Sequence, residues 1–218
     1  MKKIKNPLIR RIPKELIGDW KKYLVVFLFL VLTIGFVSGM YVANESMITS
    51  ANEGVTKYKQ EDGHFELKKQ ADATLLSAIE TGEKADFKAT KTTLYENFFR
   101  NEEEDYNNDG KKDGTIRVFA KTKDINLACM LQGSFPQKAD EIAIDRMHAD
   151  NVGIKVGDTV TVSGETYKVV GLLAYVNYST LHEKTTDLMF DALKFDVAMV
   201  TQDGFDRLHK SIHYTYAW

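Results

Sequence analysis

The feature that most constrains this chain is an apolar run at residues 23–43, YLVVFLFLVLTIGFVSGMYVA, which contains no charged residue. A run of 21 residues extends about 30 Å as an α-helix, which matches the hydrocarbon thickness of a bilayer. The apolar segment of a cleavable signal peptide is usually about 7–15 residues long, and no small-residue cleavage motif follows this run. The sequence therefore predicts an uncleaved transmembrane helix at 23–43.

Charged residues are distributed unequally on the two sides of this helix. The basic and acidic residues that precede it are Lys2, Lys3, Lys5, Arg10, Arg11, Lys14, Lys21 and Lys22 against Glu15 and Asp19. An excess of Lys and Arg in a short flanking segment keeps that segment in the cytoplasm. Residues 1–22 should therefore be cytoplasmic, and residues 44–218 should lie on the outer side of a cell membrane. The 21 basic and 29 acidic residues after the helix make this outer part acidic, which argues against nucleic acid as a partner.

The cytoplasmic segment 1–22 is also amphipathic. Between residues 7 and 22, apolar side chains recur at intervals of three to four residues, and charged side chains occupy most of the other positions. A helix with this pattern lies in the membrane interface, where Trp20 would be at the level of the lipid headgroups. Alternatively, the basic residues only set the orientation of the chain, and the segment has no regular structure.

Small residues recur at every fourth position near the end of the predicted transmembrane helix, at Gly35, Gly39 and Ala43. Small residues aligned on one face of a helix let another helix approach closely. The pattern also arises by chance, because Gly is frequent in membrane helices. We therefore treat these three residues as a candidate face for packing against other transmembrane helices, in addition to contact with the lipid bilayer.

The remainder of the chain predicts a stalk and a folded domain. Residues 44–60 have a helix-compatible composition without Pro, and residues 61–218 predict a mixed α+β domain with hairpins, not a βαβ series. Strands are predicted at 115–120, 126–131, 141–145, 158–164, 166–176 and 195–201. Helices are predicted at 72–80, 146–154 and 203–210. Cys129 is the sole cysteine, so no intramolecular disulfide forms, and its apolar neighbours predict a buried side chain.

No motif of a known catalytic or cofactor site occurs in the sequence. It contains no nucleophile elbow, P-loop, H-E-x-x-H zinc motif or Gly-rich dinucleotide turn. Catalytic residues can be assembled from distant parts of a chain, but an anchored hydrolase would need clustered catalytic side chains that the sequence does not indicate. We therefore assign no catalytic residue and no cofactor, and we expect that the protein is not an enzyme.

Residues 105–113, DYNNDGKKD, are similar to the first part of a calcium-binding loop. The candidate ligands, at positions 1, 3, 5 and 9 of such a loop, are Asp105, Asn107, Asp109 and Asp113. Gly110 occupies position 6, where calcium loops turn sharply, but Lys112 replaces the usual aliphatic residue and Ile116 replaces the bidentate Glu of position 12. The same composition favours a plain hairpin turn, because Asn, Asp and Gly tolerate a left-handed backbone. Both interpretations remain open, and no other metal site is assigned.

Two further groups of polar residues have simpler interpretations. Residues 102–105, EEED, form an acidic run that predicts a solvated loop. His209 and His213 are four residues apart and could share one helical face as zinc ligands do, but the sequence indicates no third ligand. We predict that both histidines lie at a solvated helix end.

Three runs in the second half of the chain resemble a known family. They are GSFPQKADEIAI at 133–144, NVGIKVGDTV at 151–160 and YKVVG at 167–171. In this order they are similar to the MacB-like core domain of FtsX-type ABC transporter permeases. A basic amphipathic segment, one transmembrane helix and a large extracytoplasmic α+β domain also follow one another in that family. The residues of the three runs are structural, so they identify a domain and not a site.

This resemblance implies a membrane permease subunit of an ABC transporter complex, with a MacB-like core domain at 61–218. Its expected partners are a separate cytoplasmic ATPase and the remaining permease helices or a second permease subunit. The ATPase would move the extracytoplasmic domain for export, extrusion or envelope signalling. Such permeases return to the membrane, whereas no second apolar span follows here. We therefore expect an N-terminal portion that is truncated near the end of the domain and cannot transport anything alone.

An alternative interpretation is a single-pass, membrane-anchored module that binds or senses a ligand outside the membrane. It would require an extracytoplasmic domain that folds autonomously around a ligand pocket, and a transmembrane helix that is monomeric. The loop at 105–113 would fit this interpretation if it bound calcium.

Overall fold

The computed structural model describes residues 11, 14, 17–82, 92–178, 180–184 and 186–218. Contacts between residues divide the chain into two units, Met1–Glu53 and Gly54–Trp218. Half of the predicted amphipathic segment at 7–22 lies outside the described residues. The first unit contains most of one long helix, and the second contains the β-sheets.

Helix α1 spans Trp20–Lys57 and is 38 residues long. It runs without a break through the predicted transmembrane segment at 23–43 and most of the predicted stalk at 44–60. Its apolar side chains are exposed along the whole span, and no residue of α1 is buried. In the part of the chain that the structure describes, α1 is the one helix that is long and apolar enough to cross a membrane. A helix suits that environment because it satisfies its backbone hydrogen bonds internally.

The second unit contains strands and short helices, so the predicted α+β class is confirmed. Its described strands are β1 His64–Leu67, β2 Tyr95–Glu96, β3 Phe99–Asp105, β4 Gly114–Ala120, β5 Cys129–Gly133, β6 Glu141–Asp145, β7 Thr159–Val162, β8 Glu165–Ala174, β9 Phe195–Val200 and β10 Tyr214–Ala217. Its described helices are α2 Ala73–Thr81, α3 Arg146–Val152 and α4 Gln202–Asp206, with a short 3-10 helix at Val176–Tyr178.

Seven of these strands form one mixed sheet in the order β5-β8-β6-β9-β4-β3-β7. Strand β7 also pairs with β8, so six strands close into a ring, and β5 pairs with β8 beside it. Pairing is parallel between β4 and β9 and between β6 and β8, and antiparallel elsewhere. The other described strands form a small antiparallel sheet in the order β1-β10-β2. Closure of the ring reduces the length of unpaired strand edge.

Local sequence explains where several of these elements begin and end. Helix α2 begins after Asp72, whose carboxylate accepts a hydrogen bond from the N–H of Leu75, and it ends at Gly82 in the left-handed conformation. Strands β7 and β8 are joined by Ser163 and Gly164, which have φ angles of 48° and 84°. Two successive positive φ angles give the turn that suits a two-residue hairpin, and the predicted hairpin is confirmed.

The large sheet buries apolar side chains on both of its faces. In β6, Ile142 and Ile144 belong to one core cluster and Ala143 belongs to another, because successive side chains of a strand point to opposite faces. Alternate residues of the β7–β8 hairpin are fully buried: Val160, Val162, Tyr167 and Val169. These four residues of the motif at 151–171 therefore belong to the core.

The prediction of a solvated loop at residues 102–105 is wrong. These residues form the end of strand β3, and Glu102 and Glu104 are 1 % and 0 % exposed. Strand β3 pairs with β4 on one side and with β7 on the other. Because side chains alternate along a strand, this acidic run directs two carboxylates into the protein and the other two outward.

One predicted helix ends earlier than expected, and one predicted strand begins later. The helix predicted at 203–210 ends at Asp206, so His209 and His213 do not share a helical face. His213 instead forms an isolated β-bridge with Phe99. The strand predicted at 126–131 begins only at Cys129, and the short strands β1, β2 and β10 were not predicted.

We expect Val169→Asp to unfold the second unit. Val169 is fully buried in β8, so the new carboxylate would lack both solvent and a partner, and the free energy of unfolding should fall by about 4 kcal/mol or more. Thermal melting of the full chain in detergent measures this loss. Thr166→Asp, at an exposed position of the same strand, is the control and should melt like the parent chain. A normal melting curve for Val169→Asp would mean that the faces of β8 are assigned wrongly.

Candidate functional site

The residues that follow helix α1 are hydrogen bonded to a turn just before strand β5. The carbonyl oxygen of Tyr58 accepts a hydrogen bond from the N–H of Leu127 at 2.8 Å, and that of Lys59 accepts one from the N–H of Asn126 at 2.9 Å. Carbonyl groups at a helix C-terminus find no donor within the helix. The turn at 126–127 supplies the donors here, so it holds the chain directly after α1 in place.

The side chain of Asn126 adds further bonds at this point. Its Oδ1 accepts a hydrogen bond from the N–H of Glu61 at 3.0 Å, and its Nδ2 donates to the carboxylate of Glu61 at 2.5 Å. Asn126 is buried and has a φ of 48°, a left-handed conformation that Asn tolerates better than most residues. The hydroxyl of Tyr58 donates to Sγ of Cys129 at 2.8 Å. We call residues 58–61 and 126–129 the helix junction.

A second group of polar side chains lies inside the second unit. Glu104 is in β3, His148 in α3 and Asp196 in β9, and all three are 0 % exposed. Strand β4 lies between β3 and β9, and its Gly114 pairs with Glu104. A Cβ atom at Gly114 would lie 2.6 Å from the carbonyl oxygen of Lys194. The intervening strand therefore carries no side chain at this position.

The imidazole of His148 is held between a backbone carbonyl and a carboxylate. Its Nδ1 is 2.7 Å from the carbonyl oxygen of Ala192, and it must donate because a carbonyl oxygen only accepts. Its Nε2 lies 3.4 Å from Oε1 of Glu104, which is longer than a charge-assisted hydrogen bond of about 2.7–2.9 Å. One ligand atom from each of Glu104, His148 and Asp196 lies within 4.8 Å of the other two.

The carboxylate of Asp196 is oriented by the backbone. Its Oδ1 accepts hydrogen bonds from the N–H groups of Asp145 and Val197 at 3.2 and 2.7 Å. Four atoms of this cluster make no hydrogen bond among the described residues: Oδ2 of Asp196, both carboxylate oxygens of Glu104 and Nε2 of His148. Buried polar atoms are normally paired, so this concentration of unpaired atoms distinguishes the cluster from ordinary core polar residues. We call Glu104, His148 and Asp196 the buried triad.

The electrostatics of the buried triad favour positive charge. Burial by itself lowers the pKa of His148, but the carboxylates of Asp196 and Glu104 outweigh this effect and raise the pKa to about 9. Burial raises the pKa of Asp196 well above its ordinary value, although His148 opposes the change. The pKa of His148 rises because carboxylates of opposite sign lie nearby, whereas the pKa of Asp196 rises because it is buried and because the carboxylates of Glu104 and Asp145 have the same sign. The triad can therefore hold a proton or another cation.

The candidate calcium ligands lie at the tip of the β3–β4 hairpin. The carboxylate of Asp105 accepts hydrogen bonds from the N–H groups of Asp109 and Gly110 at 3.1 and 2.8 Å. The carboxylate of Asp113 accepts one from the N–H of Tyr106 at 3.2 Å. Carboxylates that cap the backbone in this way are typical of a polar turn. Calcium binding at this loop stays a prediction.

The candidate packing residues Gly35, Gly39 and Ala43 lie within α1. A Cβ atom added at Gly35 or Gly39 would meet no atom of the described chain within 4 Å. This face of the helix therefore has room for another helix. Packing at this face also stays a prediction.

Neither the helix junction nor the buried triad follows directly from the sequence patterns. The sequence contains one indirect signal for the triad. A hairpin tip at 105–113 requires a strand on each side, so the residues just before it, including Glu104, should lie in a strand. The period of two along such a strand then places Glu102 and Glu104 on the same face. His148 and Asp196 carry no comparable signal, since they are distant from β3 in the sequence. The turn at 126–127 lies inside a segment whose composition favours a strand.

No protein-family model matches this chain, and no curated protein does. Among solved structures, the chain is similar to the periplasmic region of MacB from Actinobacillus actinomycetemcomitans, with a TM-score of 0.39 and 8 % identity over 69 % of this chain. It is also similar to the extracellular domain of the ABC-type transporter YknZ from Gram-positive bacteria, with a TM-score of 0.36 and 13 % identity. The second similarity covers 72 % of this chain and 83 % of the YknZ domain. The chain spans 65 % of the MacB region that it matches.

We expect Asn126→Gly to loosen the helix junction. Glycine keeps the positive φ angle but removes both hydrogen bonds to Glu61, so the free energy of unfolding should fall by about 1–3 kcal/mol. Hydrogen exchange of the Glu61 and Leu127 amides, in the full chain in detergent, should accelerate. Gln132→Ala removes an exposed amide from β5 and should leave exchange unchanged. Unaltered exchange in Asn126→Gly would contradict the assigned role of this side chain.

Asp109→Ala separates the two interpretations of the hairpin tip. The variant loses the hydrogen bond that Asp109 accepts from the N–H of Lys111 at 2.9 Å. If the tip is a plain turn, the melting temperature should fall by the same amount in calcium as in chelator. A loss of stability seen only in calcium would instead establish a calcium loop, because a bound ion stabilises the folded state.

Proposed function

We propose that this chain is part of a permease subunit of an FtsX-type ABC transport complex. In this proposal residues 1–22 are cytoplasmic, α1 crosses the cell membrane and the second unit is extracytoplasmic. A separate ATPase binds on the cytoplasmic side, near the basic N-terminal segment. ATP binding and hydrolysis there change the state of the extracytoplasmic unit, for export, extrusion or envelope signalling.

The observation that carries this proposal is the continuity of α1 with the helix junction. The apolar helix extends beyond the predicted span to Lys57, and the next residues are hydrogen bonded to the turn at 126–127. A tether needs neither an ordered extension nor bonds at its end. A helix that passes a displacement from the membrane to a domain needs both, because a flexible linker would absorb the displacement.

The family-like runs at 133–171 give independent support. Gly157 has a φ of 107°, and its N–H donates a hydrogen bond to the carbonyl oxygen of Val169 at 2.8 Å. This turn leads into β7, and the Y-x-V-V-G run lies in β8, which pairs with β7. The similar residues therefore build the ring of strands itself, as expected if the resemblance concerns the architecture of the domain.

Photo-crosslinking in native membranes tests for the ATPase partner. A photoreactive residue placed on the charged side of the N-terminal segment, at Lys5, Arg10 or Lys14, should capture a protein that contains a P-loop motif, identified by mass spectrometry. The same residue at Lys168, an exposed position in β8, is the control and should not capture it. If none of the three N-terminal positions captures a P-loop protein, the chain is better explained as an anchored sensing module.

We expect Gly35→Leu and Gly39→Leu to weaken association with other permease helices while leaving membrane insertion intact. Leucine fills the space through which a second helix would approach, and it is as apolar as the surrounding residues. Crosslinking between α1 and neighbouring transmembrane helices measures the association, and it should fall severalfold. Val37→Leu adds bulk on the opposite side of the helix and should have no effect. Equal crosslinking in all three variants would count against the packing face.

A further inference from the structure

The buried triad combines the features of a metal site that is assembled by folding. Four of its side-chain atoms make no well-formed hydrogen bond among the described residues, namely Oε1 and Oε2 of Glu104, Nε2 of His148 and Oδ2 of Asp196, although Nε2 of His148 and Oε1 of Glu104 form an ion pair at 3.4 Å. One ligand atom from each of the three residues lies within 4.8 Å of the other two. All three side chains are fully buried. Leaving buried carboxylate oxygens unpaired is costly. A cation bound by these atoms would remove this cost.

The atoms behind the donors are arranged as in known metal sites. Ligating histidines almost always donate their other ring N–H to a carbonyl or carboxylate, and Nδ1 of His148 donates to the carbonyl oxygen of Ala192 at 2.7 Å. A ligating carboxylate is also commonly hydrogen bonded at its second oxygen. Oδ1 of Asp196 accepts hydrogen bonds from the N–H groups of Asp145 and Val197, and Oδ2 makes no hydrogen bond among the described residues.

The spacing of the donors suits a small ion. Tetrahedral coordination with bonds of about 2.0–2.2 Å places ligand atoms roughly 3.3–3.6 Å apart. Nε2 of His148 and Oε1 of Glu104 are 3.4 Å apart. This separation is long for a direct ionic hydrogen bond, but it matches two ligands of one metal ion.

The charge of the triad points to a divalent ion. Two ionised carboxylates and a neutral imidazole carry two negative charges. A buried site without water holds two negative charges only if a positive charge balances them. A divalent cation balances these charges fully. A mixed set of imidazole and carboxylate donors is suited to Zn²⁺ and similar transition-metal ions, whereas Ca²⁺ and Mg²⁺ prefer oxygen ligands alone. The edge of the Tyr106 ring packs against His148 and helps to cover this side of the triad.

A second buried glutamate on the same strand shows how this protein satisfies a carboxylate without a metal. The carboxylate of Glu102 accepts hydrogen bonds from the hydroxyl of Ser163 and from the N–H of Lys210. Glu104 lies two residues further along the same face of β3 and has no such donors. The difference between the two glutamates is therefore a property of the triad and not of burial in β3.

We propose that Glu104, His148 and Asp196 bind one divalent transition-metal ion, Zn²⁺ by their donor chemistry, in a closed site that joins α3 to strands β3 and β9. The site is structural, since it has no exposed ligand at which a substrate could bind. This proposal is independent of the transport function and can fail without it.

Metal analysis of the full chain tests the site. The protein is produced without a histidine tag, purified in detergent, and treated with ZnCl₂ or with EDTA before desalting. Elemental analysis should find about one equivalent of zinc in the ZnCl₂ sample, and this sample should melt several degrees above the EDTA sample. Replacement by Co²⁺ should give the intense visible absorption of tetrahedral coordination.

Two isosteric variants locate the ion. Glu104→Gln removes one ligand charge with little change in shape and should lower zinc affinity at least about tenfold. Glu103→Gln changes the adjacent, solvent-facing residue of the same strand and should bind zinc like the parent chain. Retained zinc binding in Glu104→Gln would overturn the assignment. The parent chain alone can also overturn the assignment, if it binds less than about one tenth of an equivalent of zinc and melts at the same temperature in ZnCl₂ and in EDTA. That result would identify the triad as a protonated His148 between two carboxylates.

Discussion

The parallel pairing of β4 with β9 at the centre of the large sheet is the constraint on which the second unit depends. All six residues of β9 are buried, and β6 pairs with its other edge. A strand that is buried on both faces must be covered on both, which is why apolar clusters form on the two sides of the sheet. The pairing joins residues 115–120 to residues 195–200, so the core forms only when distant parts of the chain meet. Asp196 is carried into the interior by this arrangement, where it meets His148.

Elements with strong local signals could be predicted from the sequence, and elements defined by distant partners could not. The long apolar helix α1, the β7–β8 hairpin and helix α2 each have a signal within a few residues, such as the run of apolar side chains, the Ser-Gly turn or the caps Asp72 and Gly82. Strand β3 was not predicted, because three successive glutamates suggest a solvent-exposed loop. In the structure the first and third of these glutamates are buried and the second is exposed. Strands β1 and β10 pair with each other from opposite ends of the second unit, and so short a strand has no periodicity to reveal it.

The candidate sites were less predictable than the fold for the same reason. The buried triad takes one residue from each of three elements, and the roles of Glu104, His148 and Asp196 depend on how those elements pack. The helix junction depends on the left-handed backbone of Asn126. The sequence does not indicate this conformation, because the apolar neighbours of Asn126 favour a strand. What the sequence did provide was the order of parts: a basic segment, an apolar helix and an acidic domain. That order is the basis of the proposed topology.

The central claim of this account is that α1 crosses a membrane and leaves the second unit on the outer side. Cysteine labelling measures this directly, because Cys129→Ser removes the sole native thiol and single cysteines can then be introduced by Lys3→Cys or Thr166→Cys. In sealed right-side-out membrane vesicles, a membrane-impermeant maleimide should label Thr166→Cys, whereas Lys3→Cys should react only after the vesicles are opened. Labelling of Lys3→Cys in sealed vesicles, with Thr166→Cys protected, would contradict the topology and the proposed function together.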